Sequence, residues 1–248
     1  MGYLRTENIS KSFGEKKVID EISIHLDEGE IVCLLGVSGS GKTTLFNVIS
    51  GLYKPDGGKI FLSDKDITGE PGKISYMLQK DLLQPYYTVL DNVCLPLIIK
   101  KGMKKKESRE TASPLFAQFG LDGTQKKYPA QLSGGMKQRA ALLRTYLSSD
   151  GVALLDEPFS ALDTITKSSI HEWYLNIMQE IKLSTLFVTH DIDEAILLSD
   201  RIYILSGSPG KITAEFKISE KKPRDNSFTM TNEFISYKRK IIEELGEI

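Results

Sequence analysis

The sequence predicts an α/β fold built on a mainly parallel sheet, with a stretch of helices inserted midway along the chain. Three observations predict it. Apolar runs that lack polar alternation, at residues 31–35, 152–155 and 185–189, suit strands buried on both faces. Helix-period segments separate those runs, and strands that alternate with helices pair in parallel. A glycine-rich loop at residues 36–41 joins the first run to a helix that begins near Lys42.

Taken in order, residues 2–26 read as two extended, polar-punctuated runs around a turn at Gly14-Glu15-Lys16-Lys17. The buried strand 31–35 follows, then the glycine loop, then an apolar-periodic helix from Lys42 that stops at Gly51. Pro55-Asp56-Gly57-Gly58 is a turn, and residues 59–62 and 73–78 are strands. From about residue 82 to 149 the period is helical, with helices expected at 89–99, 106–119 and 135–147. Strands return at 152–155, 185–189 and 201–205, with helices at 163–181 and 191–199 between them. Beyond residue 218 the chain is richer in charge, with a weak helical signal at 232–245. The expected organisation is one core unit over residues 1–218, interrupted by the helical stretch 82–149, and a tail over 219–248.

Composition narrows the function. Thirty-two basic against 33 acidic residues leave a net charge of −1, so no global basic field points to nucleic acid. No apolar run approaches the roughly 20 residues of a membrane span, and the first residues lack the apolar stretch of a secretory signal. A soluble cytoplasmic chain is expected. Gly2 with Thr6 fits the loose myristoylation pattern, but the surrounding residues read as an ordinary edge strand. Cys33 and Cys94 sit in apolar segments without ligand-like spacing and are expected to be buried thiols. The lysines between residues 100 and 106 read as a solvated loop, with attraction to anionic lipid or nucleic acid the alternative.

The chemistry is carried by a few motifs. Gly36-Val37-Ser38-Gly39-Ser40-Gly41-Lys42-Thr43, followed by Thr44, fits G-x-x-x-x-G-K-[ST] at every fixed position, in the strand-to-helix context the motif requires. Glycines let successive backbone N–H groups converge on phosphate oxygens, and the helix N-terminus adds partial positive charge. Lys42 would bring a full charge to the β- and γ-phosphates, and the Thr43 hydroxyl can ligate Mg²⁺. The apolar run 152–155 ends in Asp156 and Glu157. In a nucleotide site Asp156 would hold the Mg²⁺ shell, and Glu157 would orient and help deprotonate an attacking water. The expected reaction is phosphoryl transfer from a nucleoside triphosphate to water.

Between these motifs, Leu132-Ser133-Gly134-Gly135-Met136-Lys137-Gln138-Arg139 opens a helix and is similar to the signature motif of ATP-binding cassette (ABC) ATPases. The resemblance spans about residues 4–209 and implies a P-loop NTPase (RecA-like) core, an N-terminal antiparallel β subdomain and an inserted helical subdomain. It implies ATP and Mg²⁺ as ligands and a head-to-tail pair of cassettes, in which Ser133, Gly134 and Gly135 serve the γ-phosphate held by the partner. Gln79 matches the glutamine that contacts Mg²⁺ and the water site, and Phe13 the aromatic that stacks on adenine. Ser160-Ala161-Leu162-Asp163 matches the loop along the dimer seam, and His190 the histidine that bonds the γ-phosphate. His25 and His171 match nothing in the family and are expected to be structural.

The stretches Tyr76-Met77-Leu78-Gln79 with Thr88-Val89-Leu90-Asp91, Thr189-His190-Asp191-Ile192-Asp193-Glu194, and Ser208-Pro209-Gly210 resemble the nitrate/sulfonate/taurine group of importer ATPases, which also serves thiamine-precursor pyrimidines. That implies an ATPase on the inner face of the cell membrane, held there by a separate permease and indirectly served by an extracytoplasmic solute-binding protein. Exporter or lipoprotein-release cassettes, and soluble non-transport cassettes, share the ATPase motifs and are the alternatives. Leu82, Leu83, Pro85, Tyr86 and Tyr87 either form an exposed docking surface for the permease or are buried in the helical stretch; the sequence leaves both open.

Overall fold

Side chains along the central strands alternate between two separate cores. On the strand Ile31–Leu35, residues Ile31, Cys33 and Leu35 join one buried cluster while Val32 and Leu34 join the other. A period of two with both faces apolar places these strands inside a sheet covered on both sides. The computed structural model describes residues 3–160, 164–225 and 227–246, with only the backbone for 164–169. Gly2 and, of the stretch matched to the family's dimer seam, Ala161, Leu162 and Asp163 lie outside the described residues.

In chain order the elements are β1 (Leu4–Phe13), β2 (Lys16–Ile22), β3 (His25–Leu26), β4 (Ile31–Leu35), α1 (Lys42–Ile49), β5 (Gly57–Leu62), β6 (Lys65–Asp66) and β7 (Ser75–Met77). Next come α2 (Val89–Ile99), α3 (Lys105–Ala112), α4 (Leu115–Gln118), α5 (Gly134–Ser148) and β8 (Val152–Asp156). The chain continues with α6 (Thr164–Ile181), β9 (Ser184–Thr189), α7 (Ile192–Leu198), β10 (Arg201–Ser206), β11 (Lys211–Lys217) and α8 (Asn232–Leu245).

Two sheets form among the described residues. The larger has the order β11-β10-β4-β9-β8-β7, parallel throughout except for the β10–β11 hairpin. The smaller is antiparallel, in the order β2-β1-β5-β6 with β3 beside β1. Helix α1 and residues of the small sheet build one core; α2, α5, α7 and α8 contribute to the other. Strands β7 and β8 are parallel neighbours, so helices α2 to α5 are one enlarged crossover between them.

One expectation is corrected, and one strand is added. The single helix expected at 106–119 is two, α3 and α4, because Pro114 has no N–H to donate and its ring obstructs the preceding turn. Strand β11 was not expected: it alternates exposed and half-buried residues and lacks an apolar run. The helical signal at 232–245 coincides with α8, whose Phe234 and Ile241 lie in the core. Cys33 and Cys94 are buried free thiols, as expected.

Candidate functional site

Parallel pairing of β4, β9, β8 and β7 brings four strand ends to one edge of the sheet. Gly36 leaves β4, Gln79 follows β7, Glu157 follows β8 and His190 follows β9, so residues 36, 79, 157 and 190 share that edge. Ligands of open α/β sheets bind at this edge because the strands end in loops there.

The glycine loop is shaped by its neighbours. A Cβ on Gly36 would lie 2.3 Å from the Leu205 carbonyl oxygen, and one on Gly41 would lie 2.5 Å from Ile19 Cγ2. Gly39 and Gly41 have φ of 84° and 100°, the left-handed region where a side chain is strained. Gly41 is the N-cap of α1, whose first turn has no acidic residue, so no carboxylate of the helix offsets the partial positive charge at its start. Lys42 Nζ folds back on its own loop, donating to the carbonyls of Gly36 at 2.6 Å and Val37 at 2.9 Å. Burial pulls the Lys42 ammonium below its usual range, opposed by the charges of Glu157 and Asp156. A buried ammonium that also donates to two loop carbonyls, beside the N-terminus of a helix, is a set of donors suited to a polyanion. Val18, Ser38, Gly39, Gly41, Lys42, Thr43, Thr44 and Glu157 line a cleft of about 290 Å³.

Glu157 closes that cleft and opens onto a second one, of about 770 Å³, which Gln79, Gln138, Ser160 and His190 also line. Its backbone is left-handed, with φ of 45°, an uncommon conformation for a residue with a side chain. Both carboxylate oxygens are held: Gln79 Nε2 donates to Oε2 at 3.1 Å, and His190 Nδ1 is 3.2 Å from Oε1. One residue earlier, Asp156 is buried and accepts from the Tyr76 hydroxyl at 3.2 Å. Burial pushes the Asp156 carboxyl up, with the Tyr76 bond pulling the other way. The Tyr76 phenol is likewise pushed up, by burial first and then by the charge of Asp156.

The loop 36–44, Glu157, Gln79 and His190 are therefore brought together. Ser133, Gly134, Gly135 and Phe13 line neither cleft. Ser133 is the exposed N-cap of α5, its hydroxyl accepting from the Met136 N–H at 3.3 Å. Phe13 stands out from the core, 46% exposed, with its ring edge-on to Tyr53. Leu82, Pro85, Tyr86 and Tyr87 are exposed, Tyr86 at 90%, whereas Leu83 is buried and leaves the docking set. His25 is bonded to the Tyr203 hydroxyl at 3.1 Å, and His171 packs edge-on against Phe159. The lysine run is solvated, with Lys100 paired to Asp150 and Lys105 near Asp91. Sequence reading missed Tyr76 and Tyr53 as neighbours of the site and gave Gln138 no role of its own; an aromatic on a strand, as Tyr76 is, reads as core.

Comparison with known proteins gives the family of the chain. The family model for the ABC transporter matches residues 19–160. The formylaminopyrimidine import ATP-binding protein ThiZ of Halalkalibacterium halodurans is 47% identical over 83% of this chain and 80% of its own. The nitrate import ATP-binding protein NrtD of Synechocystis is 38% identical, covering 92% of this chain and 88% of its own. A dimeric ATP-binding cassette solved in a post-hydrolysis state with ADP and Pi superposes with a TM-score of 0.74 at 31% identity, over 88% of this chain and 100% of that one. No helix among the described residues is long and apolar enough to cross a membrane. The chain belongs to the ABC transporter family, as the ATP-binding, ATP-hydrolysing subunit of an importer.

Proposed function

We propose that two copies of this chain pair head to tail around two ATP molecules and drive a separate permease for a small solute of the sulfonate, nitrate, taurine or pyrimidine kind. The observation that carries this reading is the Glu157 carboxylate, which lines both clefts and is gripped by Gln79 and His190. In this reading the loop from Gly36 to Thr44 cradles the triphosphate through its N–H groups and Lys42. Glu157 accepts a proton from the attacking water, and His190 and Gln79 set its oxygens toward that water. Phe13, with Tyr53 beside it, offers an aromatic face to the base.

Exposed Thr43 supplies a hydroxyl, Asp156 a carboxylate and Gln79 an amide oxygen, an oxygen-only set that suits Mg²⁺. When bound there, the ion would neutralise charge on the phosphates. Ser133, Gly134 and Gly135 form an N-terminal helix cradle outside this chain's own clefts, which supports their use on a nucleotide held by the partner copy. The exposed group Leu82, Pro85, Tyr86 and Tyr87 follows shortly after Gln79 and is the proposed permease contact; the proposed location is the cytoplasmic face of the membrane. A solute-binding protein outside the cell completes the proposed importer.

Glu157→Gln tests the assignment. Turnover of ATP should fall by about 10²–10⁴-fold while ATP still binds and brings the chain into dimers on size exclusion. Hydrolysis at the parent rate, or a chain that stays monomeric at saturating ATP, would refute it.

A further inference from the structure

Tyr76 is in neither the glycine loop nor the carboxylate pair, yet it touches the elements that carry both. On β7 it pairs with Leu154 of β8, and side chains two apart on a strand share a face. Asp156 therefore lies on the face of Leu154, two residues along β8 from Tyr76's pairing partner, and the phenol reaches it: the hydroxyl donates to Asp156 Oδ2 at 3.2 Å. The Tyr76 ring meets Phe46 of α1 edge-on, with centroids 5.9 Å apart and planes at 73°. Phe46 is buried one turn along from Thr43 on the same helix. Three residues further along the chain stands Gln79. One side chain thus braces the segments that carry Thr43, Asp156 and Gln79.

We propose that Tyr76 is a positioning residue for divalent-cation binding, its hydroxyl fixing the Asp156 carboxylate so that the oxygen it does not occupy, Oδ1, serves the cation. The proposal rests on the reading of Asp156 as a cation-holding residue. The physical reason is general: a carboxylate that serves a cation needs its second oxygen tied down, or it spends its time in other rotamers. The phenol does this from a half-buried position, where the bond has little competition from water.

Tyr76→Phe removes the hydroxyl and keeps the ring against Phe46. Binding of the imido analogue of ATP to the full chain, followed by calorimetry in EDTA and in graded MgCl₂, reads cation affinity without turnover. Tyr76→Phe should leave binding in EDTA within about twofold of the parent and raise the Mg²⁺ concentration for half-maximal enhancement by about 10-fold or more. Asp156→Asn, run in parallel, should raise it at least as far. If Asp156→Asn raises the Mg²⁺ requirement and Tyr76→Phe does not, the positioning role is wrong. If neither moves it, the reading of Asp156 falls and takes the proposal with it. If Tyr76→Phe weakens binding equally in EDTA and in Mg²⁺, the residue supports the fold of the cradle and not the cation, which also overturns the proposal.

Discussion

At Gly39 and Gly41 the same residue type is needed for opposite reasons. Both have positive φ, but a Cβ on Gly41 meets the buried side chain of Ile19, whereas a Cβ on Gly39 meets open space in this chain. Gly41→Ala therefore forces strain and a shift of a core residue, a destabilisation of about 1–3 kcal/mol that thermal unfolding will register. Gly39→Ala carries the backbone strain alone, and its methyl stands where a phosphate would approach. It should lose less thermal stability than Gly41→Ala and still weaken ATP binding by calorimetry. Equal losses of stability in the two variants would contradict this division. The motif itself was readable from eight consecutive residues because their spacing is local. The division of labour between the glycines was not, since Ile19 meets Gly41 only after β2 has folded behind the loop.

Elements whose pattern is local were legible, and those fixed by distant contacts were not. The buried strands β4, β8 and β9 announce themselves by unbroken apolar runs, and α5 by its serine cap. Strand β11 is the exception: Ile212, Ala214 and Phe216 alternate with Lys211, Thr213, Glu215 and Lys217 at period two, a local strand signal that sequence reading passed over, and β10 offers it a partner edge. The segment 84–88 is held by one side chain that sequence reading also passed over. Asn92 is fully buried in α2; its Oδ1 accepts from the Gln84 N–H at 2.6 Å, and its Nδ2 lies 3.1–3.2 Å from the carbonyls of Gln84, Tyr87 and Thr88. An asparagine on an apolar helix reads as a flaw in the pattern until the loop it satisfies is seen. Asn92→Ala strands those backbone groups and should cost about 1–3 kcal/mol. It should also speed chymotrypsin cleavage at Tyr86 and Tyr87 several-fold under native conditions. Unchanged cleavage and an unchanged melting temperature would show that the loop is held by something else.

Across the whole molecule, the small antiparallel sheet and the large parallel one meet behind the phosphate loop. Asp20 of β2 donates its N–H to the Gly210 carbonyl at 3.0 Å, and the Gly210 N–H donates to Val18 at 2.8 Å. A Cβ on Gly210 would lie 2.0 Å from the Ser40 carbonyl oxygen, so this junction abuts the loop itself. The Asp20 carboxylate spans the joint, paired with Lys17 on its own strand and with Lys211 of β11 at 3.0 Å. Those two ammonium groups hold its pKa at about 2, below the ordinary 3.8. A carboxyl whose pKa is lower in the folded chain adds stability that is present above the unfolded value and is lost as pH falls through the folded one. Asp20→Asn should therefore melt below the parent at pH 5 and above. The two curves should converge as pH drops from about 3.8 toward about 2, over the range in which both chains remain folded. Raising the salt to 1 M, where screening acts within about 3 Å, should shrink the gap at neutral pH. Two curves that stay parallel down to the acid limit, unaffected by salt, would mean that the junction is held by its backbone bonds alone.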